Sequence, residues 1–245
     1  MSSTTPTLPL CHIHVADNLP PADAARLPFL AGGAVDLTLQ SPLTILVGEN
    51  GSGKTTLLEA IAARCGIRPS GGDRYGDTED DRPDTPASPA VELTFANRRP
   101  RGWFMRADRL HVATSRPDRL RMGHQADAWR RLDEQSRGES MLSLLSAEIE
   151  RGLCNLYLLD EPDTGLSPTR QLALLRLLDE IVLAGAQAIV ATHSVILMAH
   201  PDADLLWVDP TGLFRRRRED FEHWSVMKIL MRDPQRFTRQ VLDRE

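Results

Sequence analysis

Thr44-Ile45-Leu46-Val47-Gly48-Glu49-Asn50-Gly51-Ser52-Gly53-Lys54-Thr55-Thr56 is the stretch that decides the fold. Its first four residues, apolar or β-branched, read as a buried strand, and Leu57 to Arg64 continues at helical period. Between them, Gly48 to Thr55 satisfies G-x-x-x-x-G-K-[ST] in the strand–loop–helix setting that this P-loop pattern needs. The glycines allow a tight turn that aims backbone N–H groups at phosphate oxygens. The helix N-terminus adds partial positive charge at the same point. The pattern places Lys54 on the β and γ phosphates of a nucleotide and the Thr55 hydroxyl on Mg²⁺. Of the 29 basic residues only Lys54 and Lys228 are lysine. A chain that otherwise writes arginine has kept lysine where a compact ammonium, not a planar fork, fits among phosphates.

The 245 residues suit one α/β domain or two small lobes. An apolar share of 41%, a charged share of 26% and a net charge of −5 are those of an ordinary globular protein. They give no global field for nucleic acid or membrane. Cys11, Cys65 and Cys154 show no metal-ligand spacing and read as free thiols in a reducing cytosol, so a cytoplasmic location is expected. Met1 to Leu10 has no basic segment or apolar run of the kind a signal peptide needs.

Along the chain, Cys11 to Val15 alternates like an edge strand, with His12 and His14 toward solvent. Asn18 to Pro28 is a proline-punctuated connection, and Phe29-Leu30 and Val35 to Leu39 look like further strand. Residues 68–90, rich in Gly, Pro and Asp, read as a flexible acidic loop. Val91 to Phe95 and Trp103 to Met105 return to strand. Asn97 to Arg137 holds eleven arginines against five acids, and Asp108 to Leu132 is expected to form a small helical lobe. The arginines read either as a solvated face or as a surface for phosphate backbone or nucleotide. Ser140 to Glu150 is an amphipathic helix ended by Gly152. Ser167-Pro168 opens another helix, with Leu172, Leu175, Leu178 and Val182 on one face. Leu205 to Val208, a turn at Asp209 to Gly212 and Leu213-Phe214 make a hairpin; 221–244 is helical, broken near Asp233-Pro234.

Leu153 to Leu159 is a continuous apolar run, as in a parallel strand buried on both faces, and it ends in Asp160-Glu161-Pro162. Asp160 at such a strand end would hold the Mg²⁺ shell, and Glu161 would polarise an attacking water as general base. A second buried strand, Ala188 to Thr192, delivers His193 to the sheet edge where ligands bind.

These motifs together resemble the ABC-type ATPases. Gly48 to Thr56 matches their Walker A, Asp160-Glu161-Pro162 their Walker B, Gly165-Leu166-Ser167 their D-loop, and His193 their switch histidine. Within Gln135-Ser136-Arg137-Gly138-Glu139-Ser140, the signature residues Ser136, Gly138 and Glu139 are in register. Gln135 and Arg137 depart from it, and Glu in the last position is similar to the SMC/RecF-like branch. The chain looks most like a compact, stand-alone bacterial "AAA family ATPase" group. The resemblance implies a P-loop NTPase of ABC type, with a mostly parallel sheet flanked by helices, an antiparallel N-terminal β portion and a small helical lobe. One ATPase domain would span 1–245, with a nucleotide-binding core at 10–67 and 150–245. Residues 97–149 would form an arm and lobe carrying the signature loop.

The resemblance also implies ATP and Mg²⁺ as cofactors, with nucleotide on Gly48, Asn50, Gly51, Ser52, Gly53, Lys54, Thr55 and Thr56. Metal would sit on Thr55 and Asp160, and catalysis on Glu161 and His193. Ser136, Gly138 and Glu139 would act in trans across an ATP-bound homodimer. No Q-loop glutamine is present; Met105-Arg106-Ala107-Asp108 occupies its place, and Phe29 is the candidate adenine contact. Three function classes follow. One is a DNA-maintenance or defence ATPase with a nucleic-acid or nuclease partner. The second is the ATP-binding subunit of a transporter with a membrane permease, disfavoured by the short segment between Met105 and Ser136. The third is a nucleotide-gated scaffold, disfavoured by Glu161.

Overall fold

The strand that leads into the P-loop lies inside a six-stranded sheet. The computed structural model describes residues 8–68, 87–107 and 137–242, with backbone alone for 137–139. In chain order the first elements are β1 (Leu10–Val15), a single helical turn α1 (Pro21–Ala24), β2 (Val35–Thr38), β3 (Leu43–Val47) and helix α2 (Lys54–Cys65). Next come β4 (Val91–Phe95), β5 (Gly102–Arg106), helix α3 (Arg137–Arg151), β6 (Leu156–Asp160) and helix α4 (Pro168–Leu183). The remaining elements are β7 (Gln187–Ala191), β8 (Ala203–Asp209), β9 (Gly212–Arg215), α5 (Glu222–Arg232) and α6 (Pro234–Val241).

The large sheet has the order β5-β6-β7-β3-β8-β9; every neighbouring pair is parallel except β8–β9. A second sheet, β2-β1-β4, is antiparallel. This is the expected α/β class, with its mostly parallel sheet and antiparallel N-terminal portion. Helix α2 lies between the two sheets, touching β4 on one side and β5, β6 and β7 on the other.

Strand alternation divides the core. Leu46, Phe104, Leu158, Ile189 and Leu206 point toward α2 and the small sheet, where Ile13, Val15, Leu58 and Ile61 meet them. Ile45, Val47, Met105, Leu159, Val190 and Leu205 point the other way, onto Leu145 of α3 and Leu174, Leu178 and Ile181 of α4. Strands β3, β5, β6, β7 and β8 are therefore apolar on both faces, at roughly 1.5–3 kcal/mol per fully buried large side chain. Gln187, fully buried at the start of β7, ties the sheets together. Its Oε1 accepts from the Leu10 N–H at 2.9 Å and its Nε2 donates to the Leu10 carbonyl at 3.0 Å, as a β-ladder neighbour would.

The structure corrects several local expectations. Phe29-Leu30 is not strand but part of a 3₁₀ turn, Pro28–Gly32, since Pro28 presets φ and lets both apolar side chains enter the core. On α4, Leu174, Leu178 and Ile181 are buried while Leu172 is 51% exposed. The helix is leucine-rich on several sides, so periodicity alone could not choose the face. Ala87, Ser88 and Ala90 pack as a buried turn, so the acidic stretch expected over 68–90 is structured at its end. Residues 69–86 and the proposed helical lobe lie outside the described residues. The predicted hairpin is β8–β9, and Asp233 caps α6 by accepting from the Arg236 N–H at 3.0 Å. The arginine run after β9 is paired on the surface: Arg215 with Asp204, Arg217 with Asp220, and Arg216 over Trp207. Among the described residues, no helix is long and apolar enough to cross a membrane.

Candidate functional site

All the strand ends that matter lie at one edge of the large sheet. β3 runs into the loop Gly48 to Gly53, β6 into Asp160-Glu161, and β7, between them, into Thr192-His193. Gly48 is required by close approach: a Cβ there would meet the Val208 carbonyl oxygen at 2.1 Å. Gly53 has φ of +98°, which favours glycine, and a Cβ there would press on the Phe29 ring at 3.1 Å. Phe29 is fully buried beneath the loop, which corrects its assignment as the adenine contact.

Lys54 opens α2 and is 5% exposed rather than a surface residue. Its ammonium donates to the carbonyls of Gly48 at 2.6 Å and Glu49 at 2.9 Å, and to the Ser52 hydroxyl at 3.4 Å. Burial pulls its pKa below the ordinary lysine range, against Glu161, Asp160 and Glu49, which pull it up. Thr55 Oγ1 donates to Asp160 Oδ1 at 3.1 Å, across 105 residues of chain. Asn50, Gly51, Gly53, Lys54, Thr55, Thr56 and Glu161 line one cavity of about 360 Å³, within the ~300–1,000 Å³ usual for small-molecule sites. A hydroxyl beside a carboxylate is a hard-oxygen pair that fits Mg²⁺, which takes one or two protein oxygens and completes its shell with water and phosphate. Among the described residues there is no group of three or more His, Cys, Asp or Glu that could hold a metal by itself.

Glu161 has φ of +48°, the one positive φ outside glycine among the described residues. Its N–H donates to the Ala191 carbonyl at 2.9 Å, and its Oε2 accepts from Thr164 Oγ1 at 3.3 Å. A left-handed, non-glycine residue costs about 1–3 kcal/mol and needs such surroundings to hold it. His193 is exposed beyond the end of β7.

The comparisons with known proteins agree with this geometry. A family model described as "AAA domain" matches residues 28–138. A second AAA-domain model, whose description adds AbiEii toxin and type IV TA system, matches residues 106–199. The chain is similar to the SMC head domain from Thermotoga maritima, at 18% identity and a TM-score of 0.52, covering 86% of this chain and 100% of that one. It is equally similar to cbiO1 from Clostridium perfringens, part of the ABC transporter complex cbiONQ: 16% identity, TM-score 0.52, covering 94% and 99%. This chain has the ABC-type P-loop ATPase fold. No curated protein matches it in sequence.

The stretch expected to carry the signature falls at the start of α3. Gly138 and Glu139 lie in its first turn, so the helix begins before the expected Ser140. Ser136 and the side chain of Glu139 lie outside the described residues. Sequence reasoning missed three neighbours of the site, Arg26, His223 and Asp163, and named Arg106 only in the place of the Q-loop glutamine. Arg26, after α1, lines the cavity with Ala25. His223, in the first turn of α5, lies 3.2 Å from the Met198 sulfur through Nε2. Burial lowers its pKa, and the nearby His193 adds to that. Asp163 accepts a hydrogen bond from Thr192 Oγ1, whose oxygen in turn accepts from the Ser194 N–H at 2.9 Å. Arg106 is ion-paired with Glu59. Asp163 and Thr192 adjoin recognised motifs and could have been found there. Arg26 and His223 sit in segments with no pattern to mark them.

Burial raises the pKa of Asp163, against the Thr192 hydrogen bond. A raised folded-state pKa favours folding below the unfolded value near 3.8, and that stability is lost as pH rises through the folded value. Asp163→Asn keeps an acceptor for Thr192 and removes the buried charge. Its melting temperature is expected to exceed wild type at pH 7, with the gain shrinking as pH falls toward 4. A lower melting temperature at pH 7 would contradict this account.

Proposed function

We propose that this chain binds ATP and hydrolyses it with Mg²⁺, as a cytoplasmic ATPase that works as an ATP-sandwich dimer. The observation that carries the reading is convergence: Lys54, Thr55 and Glu161 line one cavity, Asp160 is hydrogen-bonded to Thr55, and His193 follows the strand that lies between theirs at the same sheet edge. Lys54 turns from the loop carbonyls to the β and γ phosphates, joined by backbone N–H groups from Asn50 to Thr56. Thr55 and Asp160 would hold Mg²⁺, which would supply charge neutralisation at the phosphates. Glu161 accepts the proton of the attacking water. His193 contacts the γ-phosphate.

The dimer rests on Ser136, Gly138 and Glu139. A helix N-terminus is suited to an anion, and here it is the N-terminus of α3, to which no P-loop residue of the same chain belongs. In a second copy it would close over the γ-phosphate. Sedimentation tests this. Glu161→Gln protein is expected to shift from monomer to dimer when Mg-ATP is added, and Ser136→Arg should block the shift while sparing ATP binding. A monomer at tens of micromolar with ATP bound would defeat the sandwich reading.

For the cellular context we favour DNA maintenance or defence over transport. Support comes from the Glu139-ended signature, the arginine-rich 97–137 and the likeness to an SMC head domain. DNA-stimulated ATP turnover would bear this out. Stimulation only by a membrane permease would favour the transporter subunit, to which the likeness with cbiO1 points.

A further inference from the structure

Arg106 ends β5 directly opposite Asp160, its register partner on β6. Its side chain is 10% exposed and its guanidinium stands between two carboxylates. Nη1 is ion-paired with Glu59 Oε1, while Nε lies 4.0 Å from Asp160 Oδ2. On its other oxygen, Asp160 accepts from Thr55. Thr55 and Glu59 are one turn apart on α2 and share a face. Thr55, Asp160, Arg106 and Glu59 therefore close a ring across α2, β6 and β5.

We propose that Arg106 is a positioning residue that competes with Mg²⁺ for the Asp160 carboxylate, and that Glu59 sets the strength of the competition. This rests on the reading of Thr55 and Asp160 as the metal-holding pair. Guanidinium is charged at every working pH and has no acceptor, so it cannot join a cation's shell. A cation on Asp160 and a guanidinium beside it repel each other, and the partial burial of the ring leaves that repulsion poorly screened. Glu59 offers the guanidinium a second carboxylate, so Arg106 can yield Asp160 without losing its partner. Metal occupancy is thereby coupled to the end of β5 through charge, where a neutral side chain would couple it through a ligand.

The two partners should then shift metal dependence in opposite directions. The measurement is binding of a fluorescent ATP analogue at fixed concentration, titrated with MgCl₂. Arg106→Met, neutral and without an oxygen, is expected to lower the half-saturating Mg²⁺ concentration ~10-fold, and Glu59→Gln to raise it ~3–10-fold. The double variant should resemble Arg106→Met, because Glu59 acts only through the guanidinium. It also removes the Glu59 carboxylate that Arg106→Met alone would strand, so it gives the reading if Arg106→Met fails to fold. Arg106→Lys, which keeps the charge, should stay near wild type. A purely structural ring would weaken Mg²⁺ binding in both single variants. Shifts in the same direction, or an unmoved half-saturation in Arg106→Met and the double variant, would overturn the proposal. Wild-type binding that ignores Mg²⁺ would overturn the metal reading along with it; a Mg²⁺-dependent wild type with unmoved variants would overturn this inference alone.

Discussion

Lys54→Ala is expected to weaken ATP binding by ~10²–10⁴-fold, from the loss of two charge-assisted hydrogen bonds at roughly 1.5–3 kcal/mol each. The ammonium already lies among acceptors, on the carbonyls of Gly48 and Glu49, so it needs only a short reorientation to reach phosphate. The same contacts mean that alanine also frees two loop carbonyls, which loosens the loop besides removing the charge. Lys54→Arg separates the two effects: it keeps the charge but brings a fork too large for a site that is 5% exposed. It should bind ATP nearly as poorly as alanine. Calorimetric titration with ATP decides the matter, and equal affinity in wild type and Lys54→Ala would remove the P-loop assignment.

Glu161→Gln should bind Mg-ATP and turn it over ~10²–10⁴-fold more slowly, the usual contribution of a general base. The amide has the shape of the carboxylate, can still accept from Thr164 Oγ1, and tolerates the same backbone. What it cannot do is take a proton from water. Because φ is +48° here, Glu161→Gly gives an independent check. Glycine relieves the left-handed strain, so this variant should melt higher than wild type while being as inactive as glutamine. Single-turnover hydrolysis at the wild-type rate in Glu161→Gln would show that the proton goes elsewhere.

Much of this architecture could be read from residue patterns because the decisive segments carry local signals. The glycines around Lys54, the carboxylates ending an apolar run, and Ser167-Pro168 at a helix start each report their own conformation. Strand order is a different matter. Nothing in Gln187 to Ala191 says that β7 lies between β3 and β6, because its pairing with β3 joins segments more than a hundred residues apart. Phe29 was misassigned because an aromatic residue before a P-loop looks the same whether it faces a ligand or supports the loop from below. Arg106 was visible as a departure from the family pattern, but its two carboxylate neighbours come from α2 and β6 and only folding brings them together. His223 belongs to the site environment because folding brings α5 near His193, which no local pattern in 221–232 announces.

The glutamine clamp bears on how the protein is made. Synthesis delivers β1 and β3 first, yet Leu10 finds its amide only at Gln187, and β3 finds its flanking strands only at β7 and β8. At ~5–20 residues per second, a ribosome needs on the order of 10 s to add the chain between them. Throughout that interval Leu43 to Val47, apolar on both faces, has neither neighbour, and the nascent chain carries an unpaired hydrophobic strand of the kind that nucleates aggregation. A chain released before Gln187 cannot close its central sheet, so premature termination there leaves a polypeptide for chaperones and proteases to clear.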